Sequence, residues 1–258
     1  MTLRSMAEKL SRGKIFKRMF RVNSENHPIY ITPDAQLKYL KVGPDKFDSD
    51  LIKIAEKFIT ADSVVWDIGA NVGVFTFACA SCLNSGTVIS IEADPWLCSI
   101  LKRTATLPFY KGKDIRIIPS AVSNNCGVST FNIAARGRAC NALDIVPGRS
   151  PMGGIREKIY VPTLTLDNLL ENQPRPDFIK IDVEGAEAFV IEGAAKIISS
   201  ARPIFYIEVD QNSYPLIHSS LGDSKYLFFN SDYTPIDHKH SDNVFCVPEE
   251  KLKLFRAS

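Results

Sequence analysis

The sequence predicts an α/β fold in which an open, mostly parallel sheet is covered by helices on both faces. Three observations carry that prediction. From residue 64 onward, strand-like and helix-like segments alternate along the chain. The strand-like runs, VVWDI and TVISI among them, are apolar at successive positions, the pattern of strands buried on both faces. The last two runs, KYLFFNSD and NVFCVP, read as an antiparallel pair that closes the sheet.

Length and composition frame this reading. A chain of 258 residues, 45% hydrophobic and 23% charged, matches one soluble domain with added elements. No apolar run approaches the roughly 20 residues that cross a bilayer, and the N-terminus lacks a secretory apolar core. Cys79, Cys82, Cys98, Cys126, Cys140 and Cys246 are scattered, as reduced thiols of a cytoplasmic protein would be. The expected organisation is a basic helix and small hairpin over residues 1–45, forming a cap or edge, and a main domain over 46–258. Oligomeric state is left open.

Within residues 1–22, seven lysines and arginines face Glu8 alone, a charge of +6 in a chain whose net charge is only +2. Leu3, Met6, Leu10 and Phe16 recur at helical spacing, so MTLRSMAEKLSRGKIFKRMF reads as a basic amphipathic helix. Such a helix can pack at the domain edge, lie over an anionic substrate, or touch an acidic or membrane surface. PIYITP and LKYLKV alternate well enough for a hairpin, and FDSDLIKIAEKFI starts acidic before a helical apolar period. The alternating units follow: strand SVVWDIG, helix VGVFTFACASCL, strand TVISIEA, helix WLCSILKRTAT and strand IRIIPSAV. After them come strand PDFIKIDVEG, a helix over about 186–199, and strand RPIFYIEVD. Residues 134–158, rich in Gly, Pro and Arg, read as an inserted loop.

The first βα turn, DIGANVG, carries the chemistry. Ligands of open parallel sheets bind beyond the carboxyl ends of the strands, near the switch in strand order. Gly69 removes a Cβ where a ligand meets the backbone, Gly73 permits close helix packing, and Asn71 tolerates unusual backbone angles. Asp67 would repel a pyrophosphate, and the first glycine of the dinucleotide pattern is missing. Glu92 ends the second strand, where an acid accepts hydrogen bonds from ribose hydroxyls. Asp67, the glycine turn and Glu92 together suit a cationic nucleoside cofactor, and S-adenosylmethionine has that chemistry.

The segment PDFIKIDVEGAEAFVIEGA holds the second cluster. Strand alternation puts Lys180, Asp182 and Glu184 on one face, and Glu208 ends the neighbouring run IFYIEVD. Carboxylates at the ends of central strands are costly to desolvate unless they bind something. In the plainer reading Glu184 caps the following helix and Lys180 pairs with Glu208.

These blocks resemble the FkbM-type S-adenosylmethionine-dependent methyltransferases. The resemblance rests on VVWDIGANVGVFTF, SIEADP, PSAVSNNCGVSTFNI, VPTLTLDNLL and IKIDVEGAEAFVIEGA followed by IEV, in the family's order over about residues 45–210. It implies a class I methyltransferase (Rossmann-like) fold, a seven-stranded mostly parallel sheet with an antiparallel terminal strand, and O-methylation of sugars or natural products. It also implies that Asp67, Gly69, Ala70, Asn71 and Gly73 line the methionine end of the cofactor. Glu92 with Ala93 would hold the ribose, and Ser120, Ala121 and Val122 would flank the adenine.

In that reading Asp182 is the base that takes the acceptor's proton, and Glu184 or Glu208 orients the acceptor beside Lys180. The three carboxylates could instead hold Mg²⁺, although a metal-free site is favoured. The acceptor would be a hydroxylated small molecule, with no nucleic acid expected. Arg136, Arg138, Arg149 and Arg156 could bind an anionic or carrier-linked form of it, or simply solubilise their loop. His238 and His240 are candidates for the substrate mouth, and Cys79 with Cys82 reads as core packing. A nicotinamide oxidoreductase would need a Tyr-x-x-x-Lys pair that the chain lacks. A catalytically silent cofactor-binding protein is the other rival.

Overall fold

The structure is a computed structural model that describes residue 8 and residues 10–41, 43, 47–145, 151–236 and 243–257. Strands β1 (Phe16–Val22) and β2 (Glu25–Ile31) form an antiparallel hairpin. Its two-residue turn is Asn23 and Ser24, both at positive φ, 49° and 66°. Here the sequence reading is corrected. Phe16 to Phe20 are strand, not helix, because alternate residues of FKRMFRV bury Phe20 and Val22 while Lys17, Met19 and Arg21 face solvent. The hairpin therefore lies upstream of its expected place, and Leu37–Leu40 is a 3-10 turn. Residues 1–7 of the expected helix lie outside the described residues.

Helix α1 (Ser49–Phe58) leads into the alternating core. Strand β3 (Val64–Ile68), helix α2 (Val74–Cys82), strand β4 (Thr87–Glu92), helix α3 (Pro95–Ala105) and strand β5 (Asp114–Pro119) follow in order. A small second sheet comes next, built from β6 (Ala121–Val122), β7 (Gly127–Ala134), β8 (Ala142–Leu143) and β9 (Ile155–Leu164). Both ends of the expected loop, and Ala142–Leu143 within it, thus belong to a sheet. The alternation in IREKIYVPTL signalled it, and Val161 and Thr163 point inward.

The chain returns through α4 (Leu166–Asn172), β10 (Phe178–Ile181), α5 (Glu187–Glu192), β11 (Ile204–Glu208) and α6 (Ser213–Gly222). It ends with β12 (Tyr226–Phe229), β13 (Asn243–Pro248) and α7 (Leu252–Ala257). The main sheet has the order β12-β13-β11-β10-β3-β4-β5, and only β13 runs against the rest. That strand lies one place in from the edge, between β11 and β12.

The long helix expected over 186–199 is broken at Gly193, where a side chain would meet the Ser123 carbonyl at 2.5 Å. A π-helical turn, Ile197–Ala201, replaces its second half. No helix among the described residues is long and apolar enough to cross a membrane.

Strand alternation divides the core in two. Val65, Val88, Phe178 and Tyr206 face a cluster with α1, α2, α3, the hairpin and α7. Trp66, Ile89, Ile179 and Phe205 face a cluster with α4, α5 and α6. Phe255 on α7 stacks on Phe58 at 5.1 Å and meets Phe229 at 5.0 Å, so the last helix seals the first face. Phe255→Ala should cost about 3–5 kcal/mol in urea denaturation. Leu216→Ala, at a side chain 57% exposed, should stay within about 0.5 kcal/mol.

Candidate functional site

The order of strands switches between β3 and β10: β4 and β5 extend the sheet one way from β3, while β10 and β11 extend it the other. The carboxyl ends of these strands open into a cavity of about 320 Å³.

At the switch point, two strand ends touch. Gly69 has φ 76°, and a Cβ there would lie 1.9 Å from the Asp182 carbonyl oxygen, so no other residue fits. The turn is pinned by Gly69 N and Ala70 N, which donate to the Ile91 carbonyl at 2.9 and 3.1 Å. Asn71 holds φ 53°, and its side-chain oxygen is buried without a hydrogen-bond partner. Gly73, at φ 90°, leaves room for Leu101 and Phe77.

Asp67 is fully buried beneath this turn and does not line the cavity. Its Oδ2 accepts from Thr76 N and Oγ1 at 3.1 and 2.6 Å, and its Oδ1 lies 3.5 Å from Lys180 Nζ. Lys180 also donates to the Gly69 carbonyl at 2.9 Å and pairs with Asp182 at 3.2 Å. Lys180 is therefore clamped between two carboxylates and does not pair with Glu208. Burial pushes its ammonium pKa down, but Asp182 and Asp67 more than offset that and hold it above the usual lysine range.

Glu92, 6% exposed, faces the cavity from the end of β4. Its two oxygens accept from Asn71 N and Asp94 N, each at 2.8 Å. Burial pushes its pKa up to about 7, against the opposing pull of those two backbone donors. Ala93, Ser120, Ala121 and Val122 line the same wall, whereas Ala70 and Gly73 stand behind it.

On the other side, Asp182, Glu184 and Glu208 bring carboxylate oxygens within 4.8 Å of one another. Burial first, then the neighbouring Asp182 and Glu184, push Glu208 up to about 9, and a hydrogen bond to Asp182 favours its neutral form. Glu184 leaves the strand at φ 57°, and the N-cap position of the next helix is taken by Ala186. Glu187, which the sequence reading missed, holds the turn before that helix instead: its Oε1 accepts from Val183 N and Gly185 N at 3.1 and 3.0 Å.

A second missed feature is an ionic network on the wall formed by β7, β8 and the turn between them. Arg138 donates to Asp34 at 3.2 Å and to Asp94, and lies 4.7 Å over the Trp96 ring. Asn141 donates to Asp94 at 2.9 Å, and Arg156 pairs with Asp34 at 3.1 Å. Asp94 in turn caps α3 through Trp96 N. Arg136 pairs with Glu8 at 3.0 Å. His238, His240 and Arg149 lie outside the described residues. The six cysteines form no disulfide, and Cys79 is buried in α2.

Comparison with known proteins adds the following. The family described as Methyltransferase FkbM domain matches residues 67–228. Hexuronic acid methyltransferase AglP of Haloferax volcanii is 25% identical over a 166-residue alignment that covers 59% of this chain. The chain spans 59% of the length of that relative. Methyltransferase FkbM from Methylobacillus flagellatus superposes with TM-score 0.46 at 18% identity, over 73% of this chain and 44% of that one. The Thermus thermophilus 16S rRNA N2 G1207 methyltransferase, in complex with AdoMet and guanosine, gives TM-score 0.48 at 12% identity, over 91% of this chain and 51% of that one.

Two measurements check the electrostatics of the site. Lys180→Met strands Asp67 without its counter-charge and should cost about 3–5 kcal/mol in urea denaturation, part of which the double substitution with Asp67→Asn restores. Glu208, at about 9, stays protonated in the folded chain at pH values where the unfolded chain has released that proton. Its contribution to stability therefore falls as pH rises from the ordinary carboxylate value of 4.5 toward 9. Glu208→Gln should raise the melting temperature more at pH 8.5 than at about pH 5.

Proposed function

The chain belongs to the FkbM methyltransferase family, and on that premise we propose that it is an S-adenosylmethionine-dependent methyltransferase acting on a hydroxyl of a sugar or natural-product small molecule. One observation carries the reading: a single cavity joins Glu92 on one side of the glycine turn to Asp182, Glu184 and Glu208 on the other. Glu92 and Glu208 end strands three places apart, a separation of about 14 Å at ordinary strand spacing. That span accommodates a nucleoside at one end and an acceptor at the other. The name of the Haloferax relative, hexuronic acid methyltransferase, supports a sugar as acceptor.

The residues present fit the cofactor. Asn71 offers a buried side-chain oxygen with no partner, suited to an amine or hydroxyl donor. Glu92 keeps acceptor capacity beyond its two backbone donors for the hydroxyls of a ribose. Gly69 lines the cavity floor, its missing Cβ giving way to the Asp182 carbonyl. When bound, S-adenosylmethionine supplies a methyl group on a sulfonium centre that leaves as a neutral thioether.

The protein's share is alignment, exclusion of water and removal of one proton. An alcohol becomes a competent nucleophile as its proton departs, and Asp182 in this reading accepts it. Lys180 pairs with Asp182 at 3.2 Å and orients it. Glu208, neutral near pH 7, then serves as a hydrogen-bond donor to the acceptor or to Asp182. The ammonium of Lys180 already supplies the positive charge that a divalent cation would bring beside Asp182, so the reading is metal-free.

Calorimetry with S-adenosylhomocysteine tests the cofactor end. Glu92→Gln should weaken binding about tenfold or more, the weight of one hydrogen bond to a charged group. Wild-type affinity should rise with pH through about 7 as Glu92 ionises and gains its full set of acceptor sites. Asp182→Asn should retain that affinity and lower the turnover rate by about 10²–10⁴. Absence of binding to the wild type would refute the proposal.

A further inference from the structure

We propose that the acceptor taken at the carboxylate end of the cavity is an uncharged, hydroxyl-rich sugar, and that the cavity rejects the corresponding uronate. The inference rests on the methyl-transfer reading and narrows its acceptor class.

A uronate entering a cavity loses hydration and must find a cation to offset that loss. Among the described residues, only Lys180 and Arg138 bring positive side chains to the cavity wall. Both are already neutralised. Lys180 stands 3.5 Å from Asp67 and 3.2 Å from Asp182, and donates to the Gly69 carbonyl at 2.9 Å. Arg138 donates Nε to Asp34 at 3.2 Å and Nη1 to Asp94. The arginines that the sequence offered for an anionic acceptor are engaged in the same way: Arg136 with Glu8 at 3.0 Å, and Arg156 with Asp34 at 3.1 Å.

The rest of the ionisable lining is acidic. Asp48 and Asp50, at the start of α1, join Asp182, Glu184 and Glu208 around the opening. Lys38 and Lys53 lie 3.9 and 3.6 Å from the first two, but neither reaches the cavity wall. Among the described residues, a carboxylate brought to this end meets like charge and no cation that is not already paired. Sugar hydroxyls meet the opposite situation. Each is a donor, the carboxylates present paired acceptor oxygens, and Glu208 in its neutral form donates back to a hydroxyl oxygen. The charge pattern therefore separates this chain from a relative whose name specifies a hexuronic acid.

The test uses matched pairs of methyl hexopyranosides and methyl hexuronosides in the gluco, galacto and manno series, incubated with wild-type protein and S-adenosylmethionine. Methyl transfer is read by mass. Calorimetric binding of S-adenosylhomocysteine is measured on the same preparation. The expected result is methylation of at least one neutral sugar, with its uronate partner slower by about tenfold or more. Added salt should narrow the gap by screening the repulsion. Asp50→Lys, at a side chain 68% exposed, should narrow it as well, without disturbing the core. Equal or faster turnover of a uronate overturns the inference. So does failure of every neutral sugar while S-adenosylhomocysteine still binds. If S-adenosylhomocysteine itself does not bind, the methyl-transfer reading fails first and the inference falls with it.

Discussion

The buried ammonium of Lys180 is the interaction on which the site depends. It sits where the strand order switches, between β3 and β10, and its donors reach the β3 turn, the Asp67 carboxylate below it and Asp182 at the end of β10. Removing an ammonium from water costs several kcal/mol, which only close and well-oriented partners offset. Any shift of β10 along β3 would separate the charge from one of its two acids. Gly69 adds a steric condition, since its hydrogen faces the Asp182 carbonyl where a Cβ would have 1.9 Å. Charge and contact together fix the register of the two strands whose ends make the floor of the cavity.

From that floor the cavity divides by electrostatics. On the β4 side a buried acid, Glu92, is held by backbone donors and surrounded by small or apolar groups such as Ala93, Ala121 and Leu97. On the β10 and β11 side, three carboxylates crowd within 4.8 Å and one of them, Glu208, is driven toward its neutral form. The two acidic regions differ in what surrounds them. Glu92 is raised mainly by burial, whereas like-charged neighbours add to burial at Glu208.

Much of this was legible in the sequence. Strands apolar on both faces, alternating with helices, specified the parallel core and its two covering layers. The acids that end β3, β4, β10 and β11 stood out because a carboxylate is unusual where a buried strand stops. What the sequence hid was mostly pairing across long separations. The basic N-terminal stretch has a helical apolar period that competes with the strand period, and tertiary contacts of Phe20 and Val22 decide in favour of the strand. Asn-Ser is a weaker hairpin signal than Asn-Gly, so the true turn passed unnoticed. Asp67 looked like a ligand contact, but the lysine 113 positions later claims it, and strand spacing alone does not reveal which partner a buried charge will find. The arginines of residues 134–158 looked free because Asp34 and Asp94 gave no sign of facing them.

The network around Asp34 bears on how the chain reaches this form. Asp34 holds Arg138 and Arg156, which lie 104 and 122 positions further along. On a ribosome, the hairpin and the β3–α2–β4 unit emerge long before the arginines that close the wall beside them. During that interval Asp34 and Asp94 remain hydrated and the strand ends stand open to solvent. Contacts of such long separation form late, after the local units have condensed. The cavity wall is thus closed by segments made far apart in the chain, so a small molecule that needs the closed wall stabilises the folded chain and not its N-terminal units alone.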